Sequence, residues 1–164
     1  MNEIFKTYYN SEIGILEITA SAKGIISLGF SESLPEERSV ENEHTKKCVK
    51  QLDEYFTGKR KRFTLNLDLY GTDFQKKVWM ELLAIPYGET RSYIDVAIKL
   101  GDEKSVRAVG MANNRNPIAL IVPCHRVIGA DGKLVGYAGG LWRKDWLLKH
   151  EKEYSGVEKQ MEFF

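Results

Sequence analysis

Hydrophobic and polar residues alternate differently in the two halves of the chain. Residues 4–9, 13–20 and 24–30 are rich in β-branched and aromatic side chains, with turn residues Asn10-Ser11 and Ser21-Ala22-Lys23-Gly24 between them. Three strands are expected there. Residues 31–40 form a polar loop with Pro35. Over 41–56 the period lengthens, and Cys48, Val49, Leu52 and Phe56 fall near one helical face, with Gly58 as the stop. The basic run at 59–62 leads into strict alternation at Phe63, Leu65, Leu67 and Leu69, which predicts a further strand. A β-β-β-α-β unit over residues 1–70 results, with Tyr70-Gly71 as its boundary.

From 71 to 164 the pattern is mainly helical. Thr72-Asp73-Phe74-Gln75 has the form of a capping box, followed by an apolar face of Phe74, Val78, Trp79 and Leu82. Pro86-Tyr87-Gly88 ends that helix. Ser92-Tyr93-Ile94-Asp95 is a second capping box, and its helix runs to about Leu100. After a turn at Gly101-Asp102-Glu103, a third helix starts at Lys104 or Ser105 and reaches about Ala112. Such a pair is an ordinary helical hairpin or a helix-turn-helix. Ala108, Gly110 and Ala112 beside Arg107 favour the second, because a helix selected only for stability avoids glycine. Residues 113–117 are a loop, 129–132 a turn and 136–140 a glycine-rich loop. Residues 141–151 read as a last helix with Trp142 and Trp146, and the tail to Phe164 as loosely held.

The 164 residues carry a net charge of +1, but charge is unevenly placed. Between Lys104 and Lys144 seven basic residues (Lys104, Arg107, Arg115, Arg126, Lys133, Arg143, Lys144) face one acid, Asp131. That local excess suits a phosphate backbone, or is a solvated surface with its acids elsewhere. No apolar run approaches the roughly 20 residues of a membrane span, and no signal-peptide pattern opens the chain. Cys48 and Cys124 are expected as free thiols in a cytoplasmic protein. His44 and Cys48, four residues apart, are too few for a zinc site, and Cys48 is expected in the core.

The candidate chemistry lies after the apolar run 118–122, where Pro123-Cys124-His125-Arg126-Val127 follow at once. The order suggests a thiol at the end of a rigid element, beside a base and a cation. A thiol attacks only as thiolate and needs such neighbours. Glu151, Asp131 and Asp145 are candidates to orient the histidine, and a buried structural cysteine is the plainer alternative.

That motif resembles the methylated-DNA–protein-cysteine methyltransferase family (O6-alkylguanine-DNA alkyltransferases). Asn116-Pro117 stands upstream and Gly136-Tyr137-Ala138-Gly139-Gly140 downstream. The likeness runs through 74–79, 85–90, Arg107-Ala108-Val109-Gly110 and 146–151, and covers essentially 70–152 in register. It implies an α+β protein: a ribonuclease-H-like β-β-β-α-β domain over 1–70, then a mainly helical domain with a helix-turn-helix over 71–164. It implies Cys124 as alkyl acceptor, His125 as its base through a water, and Glu151 as the group orienting His125. Tyr93 is implied as hydroxyl donor to the leaving guanine and Asn116 as the brace of the cysteine loop. Arg107 is implied as the finger that enters the duplex, with Ser92, Ala108, Gly110 and Arg115 on the DNA-facing side. Val127, Tyr137, Ala138 and Gly139 are implied as pocket walls. Ala138 departs from the family's usual serine. The implied partner is double-stranded DNA carrying alkylated guanine, with O4-alkylthymine a second candidate substrate. The implied protein is a monomer that turns over once, with no cofactor and no metal. On this reading Arg126 is structural or phosphate-facing.

Overall fold

The computed structural model describes residues 3–34 and 39–161, with side chains to 156. The expected loop residues 35–38 and the tail residues 162–164 lie outside the described residues. The chain divides into two compact units, Met1–Tyr70 with Pro117–Ala119, and Gly71–Asn116 with Leu120–Phe164.

In the first unit, β1 (Phe5–Ser11), β2 (Gly14–Ala20) and β3 (Ile25–Ser31) form an antiparallel meander in that order. Pairing runs from Phe5 opposite Ala20 to Ser11 opposite Gly14, and from Ile15 opposite Ser31 to Ala20 opposite Ile25, with an irregularity at Thr19/Ala20. Leu16, Ile18 and Ala20 alternate inward from β2 and are fully buried. Helix α1 (Glu43–Phe56) starts at a capping box of Asn42 with Thr45 and buries Cys48, Leu52, Tyr55 and Phe56. It ends in a Schellman motif: Lys59 N–H donates to Glu54 O and Gly58 N–H to Tyr55 O. Gly58 sits at φ +78°, where a side chain would be strained.

The strand expected over 63–69 is only an extended segment. It bridges β3 at a single point, Leu67 with Ile25, through Ile25 N–H to Asn66 O and Asp68 N–H to Ile25 O. The physical reason is a competing partner. Gln51 of α1 takes Thr64 N–H with its carbonyl and gives its amide to Thr64 Oγ1, so that backbone N–H is already satisfied. Leu28 has a second neighbour, accepting from Ala119 N–H and donating to Pro117 O, both at 2.9 Å.

In the second unit, α2 (Asp73–Leu83) begins at the Thr72–Gln75 capping box and buries Val78, Trp79 and Leu82. Phe74, expected on that face, lies in the first turn and is exposed. The Trp79 indole N–H donates to Ala112 O at 2.8 Å, fixing α2 against the segment that carries Ala112. A two-residue strand β4 (Arg91–Ser92) runs into α3 (Tyr93–Lys99), capped by Ser92 with Asp95. One 3-10 turn at Glu103–Ser105 leads into α4 (Val106–Asn114), so α3 and α4 form the helix-turn-helix. Strand β5 (Val127–Ile128) pairs parallel with β4. Helix α5 spans Leu141–Met161, ten residues beyond its expected end at Glu151. No proline or glycine interrupts 152–155, and an i,i+4 column of Trp146, His150 and Tyr154 with ring centroids 4.8 Å apart continues its packing.

Candidate active site

The apolar run before Cys124 is not a regular element. Ile118 makes one bridge, then the chain turns through Leu120 at φ +70°, a conformation that costs a side-chain-bearing residue about 1–2 kcal/mol. Burial holds it there: Leu120 to Val127 are all buried. Pro123 is followed by a single 3-10 turn, Cys124–Arg126. Asn116 Nδ2 donates to Val122 O at 2.7 Å, and the Asn116 side chain also hydrogen-bonds the Cys124 thiol. The cysteine loop is thus braced by Asn116 from behind.

Burial pushes the Cys124 thiol above its ordinary value, against the pull of Asn116, of Lys144 and of backbone N–H groups. The thiol is therefore protonated at rest and needs a base. His125 is fully buried, and its Nε2 lies 2.6 Å from Glu151 Oε2. Burial alone would raise the Glu151 pKa. The hydrogen bonds of His125 and Arg126 and the charge of Arg126 outweigh it and hold the carboxyl well below its usual range. An ionised Glu151 can only accept, so Nε2 carries the proton and Nδ1 keeps its lone pair. Burial lowers the His125 pKa more than Glu151 raises it, so the imidazole is neutral at pH 7. Its Nδ1 is buried without a partner among the described residues.

Arg126 is inside as well. Its Nε donates to Glu151 Oε1 at 2.8 Å, Nη2 to Oε2 at 3.1 Å and Nη1 to Ile85 O at 2.7 Å. Gly88 N–H adds a fourth donor to the same carboxylate. Of the two expectations for Arg126, structural or phosphate-facing, the structure selects the first.

Around the thiol stand three further side chains. The Tyr93 hydroxyl donates to Val135 O at 3.0 Å, and the parallel pairing of Arg91 with Val127 sets the start of α3 beside the residues after Cys124. Asn113, on the buried face of α4, reaches toward Cys124 O and Tyr93. Tyr137 presents a buried hydroxyl. Asn113 Oδ1 and the Tyr137 hydroxyl, like His125 Nδ1, have no partner among the described residues. Buried polar atoms are almost always paired, so these three orphans, two of them on side chains that neighbour Cys124, are left to meet a polar ligand or water.

Cys124, His125, Glu151, Tyr93 and Asn116 are thus brought together, with Val127 buried beside them and Tyr137 at the same thiol. Ala138 lies exposed and Gly139 half-buried in the loop before α5. Arg107, Ala108 and Arg115 are exposed on α4 and at its end. Ser92 spends its hydroxyl on the α3 cap, accepting from Asp95 N–H. A Cβ on Gly110 would meet only the Tyr93 ring at 3.9 Å, so the fold itself does not require glycine there. Asn113 and Lys144 escaped the sequence reading. Asn113 stood in an expected loop, and its signal was the i,i+3,i+4 spacing from Val109. Lys144 stood among the basic residues offered to phosphate, yet Lys144 and Arg126 are both buried.

A buried, protonated thiol with a neutral histidine and an ionised carboxylate, in a unit built around a helix-turn-helix, defines a cysteine-nucleophile protein of the DNA-binding class. Comparison with known proteins narrows it. Residues 73–153 match the family model for the 6-O-methylguanine DNA methyltransferase DNA-binding domain, and residues 4–69 that for its ribonuclease-like domain. This chain belongs to the 6-O-methylguanine DNA methyltransferase family. The methylated-DNA–protein-cysteine methyltransferase of Methanosarcina barkeri is 47% identical over 153 residues, 88% of this chain and 97% of that protein. The Mycobacterium leprae protein of the same name is 59% identical over 112 residues, 68% of each chain. The crystal structure of Mycobacterium tuberculosis O6-methylguanine methyltransferase superposes with a TM-score of 0.84 at 45% identity, covering 93% of this chain and 94% of that one. The Mycobacterium tuberculosis protein OGT in complex with DNA gives 0.82 at 47% identity, covering 90% and 92%.

Proposed function

We propose that this protein repairs duplex DNA by moving the alkyl group of O6-alkylguanine irreversibly onto its own Cys124, one turnover per molecule. The observation that carries this reading is the orientation of His125. Its protonated Nε2 is committed to Glu151, and its basic Nδ1 is left open in the buried cluster that contains the thiol.

The chemistry balances. Cys124 passes its proton through a water to His125 Nδ1, Sγ forms a bond to the alkyl carbon, and the bond from that carbon to O6 breaks with its electrons going to guanine. Tyr93 donates a proton to the departing base, and guanine leaves neutral. The product is a thioether that no side chain near it can reverse. Access requires the damaged nucleotide to leave the stack, at a cost of a few kcal/mol. Arg107, exposed on α4, fills the vacated space, with Ala108 and Gly110 letting the helix approach closely and Arg115 on phosphate. Ser92 lies at the same face. Val127, Tyr137, Ala138 and Gly139 wall the base. With Ala138 in place of serine, the contact to O6 falls to the backbone N–H.

Residues 1–70 and 71–164 act as two domains, a reading supported by their separate matches to two family models. All the residues given a role lie in 71–164 of one chain, which supports a monomer. Both cysteines are free, which suits a reducing cytoplasm.

The test is mass spectrometry of the Cys124 peptide after incubation with duplex DNA carrying O6-methylguanine. One methyl replaces the thiol hydrogen, and Cys124→Ala abolishes the change. An unmodified peptide under saturating damaged DNA, or repeated turnover of a small acyl ester by the same thiol, overturns the proposal.

A further inference from the structure

Lys144 is a charged side chain in a place that charge normally avoids. It is 0% exposed, and among the described residues no carboxylate lies within ion-pair distance of it. An unpaired ammonium in the interior is costly unless other groups satisfy it. What satisfies it is backbone: Nζ donates to Val135 O at 2.9 Å and to Gly136 O at 3.2 Å. It also lies 5.9 Å from the centroid of the Tyr93 ring. Burial brings its pKa down to about 8, with the nearby Cys124 opposing the shift.

The Val135 carbonyl has two donors, because the Tyr93 hydroxyl also donates to it. At rest, then, Tyr93 is engaged away from any base. To donate to a departing guanine it must release Val135 O, and a carbonyl that loses its donor opposes that release. The second donor removes the opposition. Gly136, at φ +60°, closes the same corner: a Cβ there would lie 3.5 Å from the Tyr93 hydroxyl and 3.2 Å from Asn114 Oδ1.

We propose that Lys144 is a positioning residue for alkyl transfer: its ammonium holds the Val135 and Gly136 carbonyls so that the Tyr93 hydroxyl is free to turn to the leaving guanine. The proposal rests on the transfer reaction above. Lys144 touches neither the alkyl group nor the base, and acts through Tyr93.

A double-mutant cycle tests it, with single-turnover transfer from O6-methylguanine duplex as the readout. Lys144→Met slows transfer about ten- to a hundredfold, the range for losing hydrogen bonds to a charged group, while the Kd for the damaged duplex stays within about twofold. In a Tyr93→Phe background the same change costs about threefold or less, because the hydroxyl it frees is gone. Equal losses in both backgrounds, or wild-type transfer by Lys144→Met, overturn the proposal. If Lys144→Met does not fold, the cycle is run with Lys144→Arg, which keeps the charge and changes the reach, and is decided by the same comparison. The wild-type arm separates the two ideas. If wild type transfers nothing, the repair reaction fails and the role of Lys144 falls with it. If wild type transfers and the cycle is additive, only the role of Lys144 fails.

Discussion

Glu151 accepts four hydrogen bonds, from His125, two donors of Arg126 and Gly88 N–H. Removing its charge leaves Arg126 buried and unpaired. Glu151→Gln is expected to lower stability by about 3–5 kcal/mol at pH 7, measured by denaturant unfolding. The pH dependence has a definite sign. Glu151 titrates lower in the folded chain than its ordinary 4.5, so its stabilisation is present above that value and is lost as pH falls below it toward the folded pKa. The gap between wild type and Glu151→Gln therefore narrows below about pH 4.5. A gap that stays constant down to pH 2 contradicts this account. Residue identity made part of the site legible. Cys124, His125 and Glu151 were singled out by the family resemblance, and His125 and Glu151 do meet in the fold. Arg126 and Lys144 could not be read in this way. A lone basic residue is ordinarily solvated, and only tertiary neighbours reveal that these two are enclosed.

Among the elements, those specified locally were read correctly from the chain. The capping boxes Thr72–Gln75 and Ser92–Asp95 depend on side chains three residues apart, and both helices start where those residues stand. Elements that depend on a distant partner were less legible. Alternation at 63–69 describes a pleat but does not name what the backbone bonds to, and Gln51 claims it. The short parallel pair of β4 and β5 carries no periodicity, since two residues are too few to show one. Helix α4 carries its own prediction. Arg107 is exposed, with Ala108 and Gly110 close by, and the finger role proposed for it confines its work to the duplex. Arg107→Ala is expected to slow transfer from duplex O6-methylguanine about tenfold or more, consistent with losing compensation for a few kcal/mol of unstacking. Transfer from free O6-benzylguanine, which has no stack to leave, stays unchanged. Equal slowing on both substrates sinks the finger role.

At the scale of the molecule, net charge says little, and its distribution changes meaning once burial is known. Of the seven basic residues from Lys104 to Lys144, Arg126 and Lys144 serve the interior. Of the other five, Lys133 pairs with Asp131 and Arg143 donates to Gly139 O, while Lys104, Arg107 and Arg115 are exposed. One further feature spans the sequence. Pro117–Ala119, from deep in the second half, belong with the first unit and supply backbone hydrogen-bond partners for both the N–H and the C=O of Leu28. A fragment ending at residue 70 leaves Leu28 N–H and C=O without those partners. Its Leu28 amide is expected to exchange at least about tenfold faster than in the whole chain, consistent with about 1–3 kcal/mol for a buried group left unpaired. Unchanged protection in the fragment contradicts this. For anyone wishing to shuffle coding segments, the first unit is not a cassette. A single cut separates the ribonuclease-like half from three residues it needs, so a graft of that half onto another protein has to bring its own edge for Leu28.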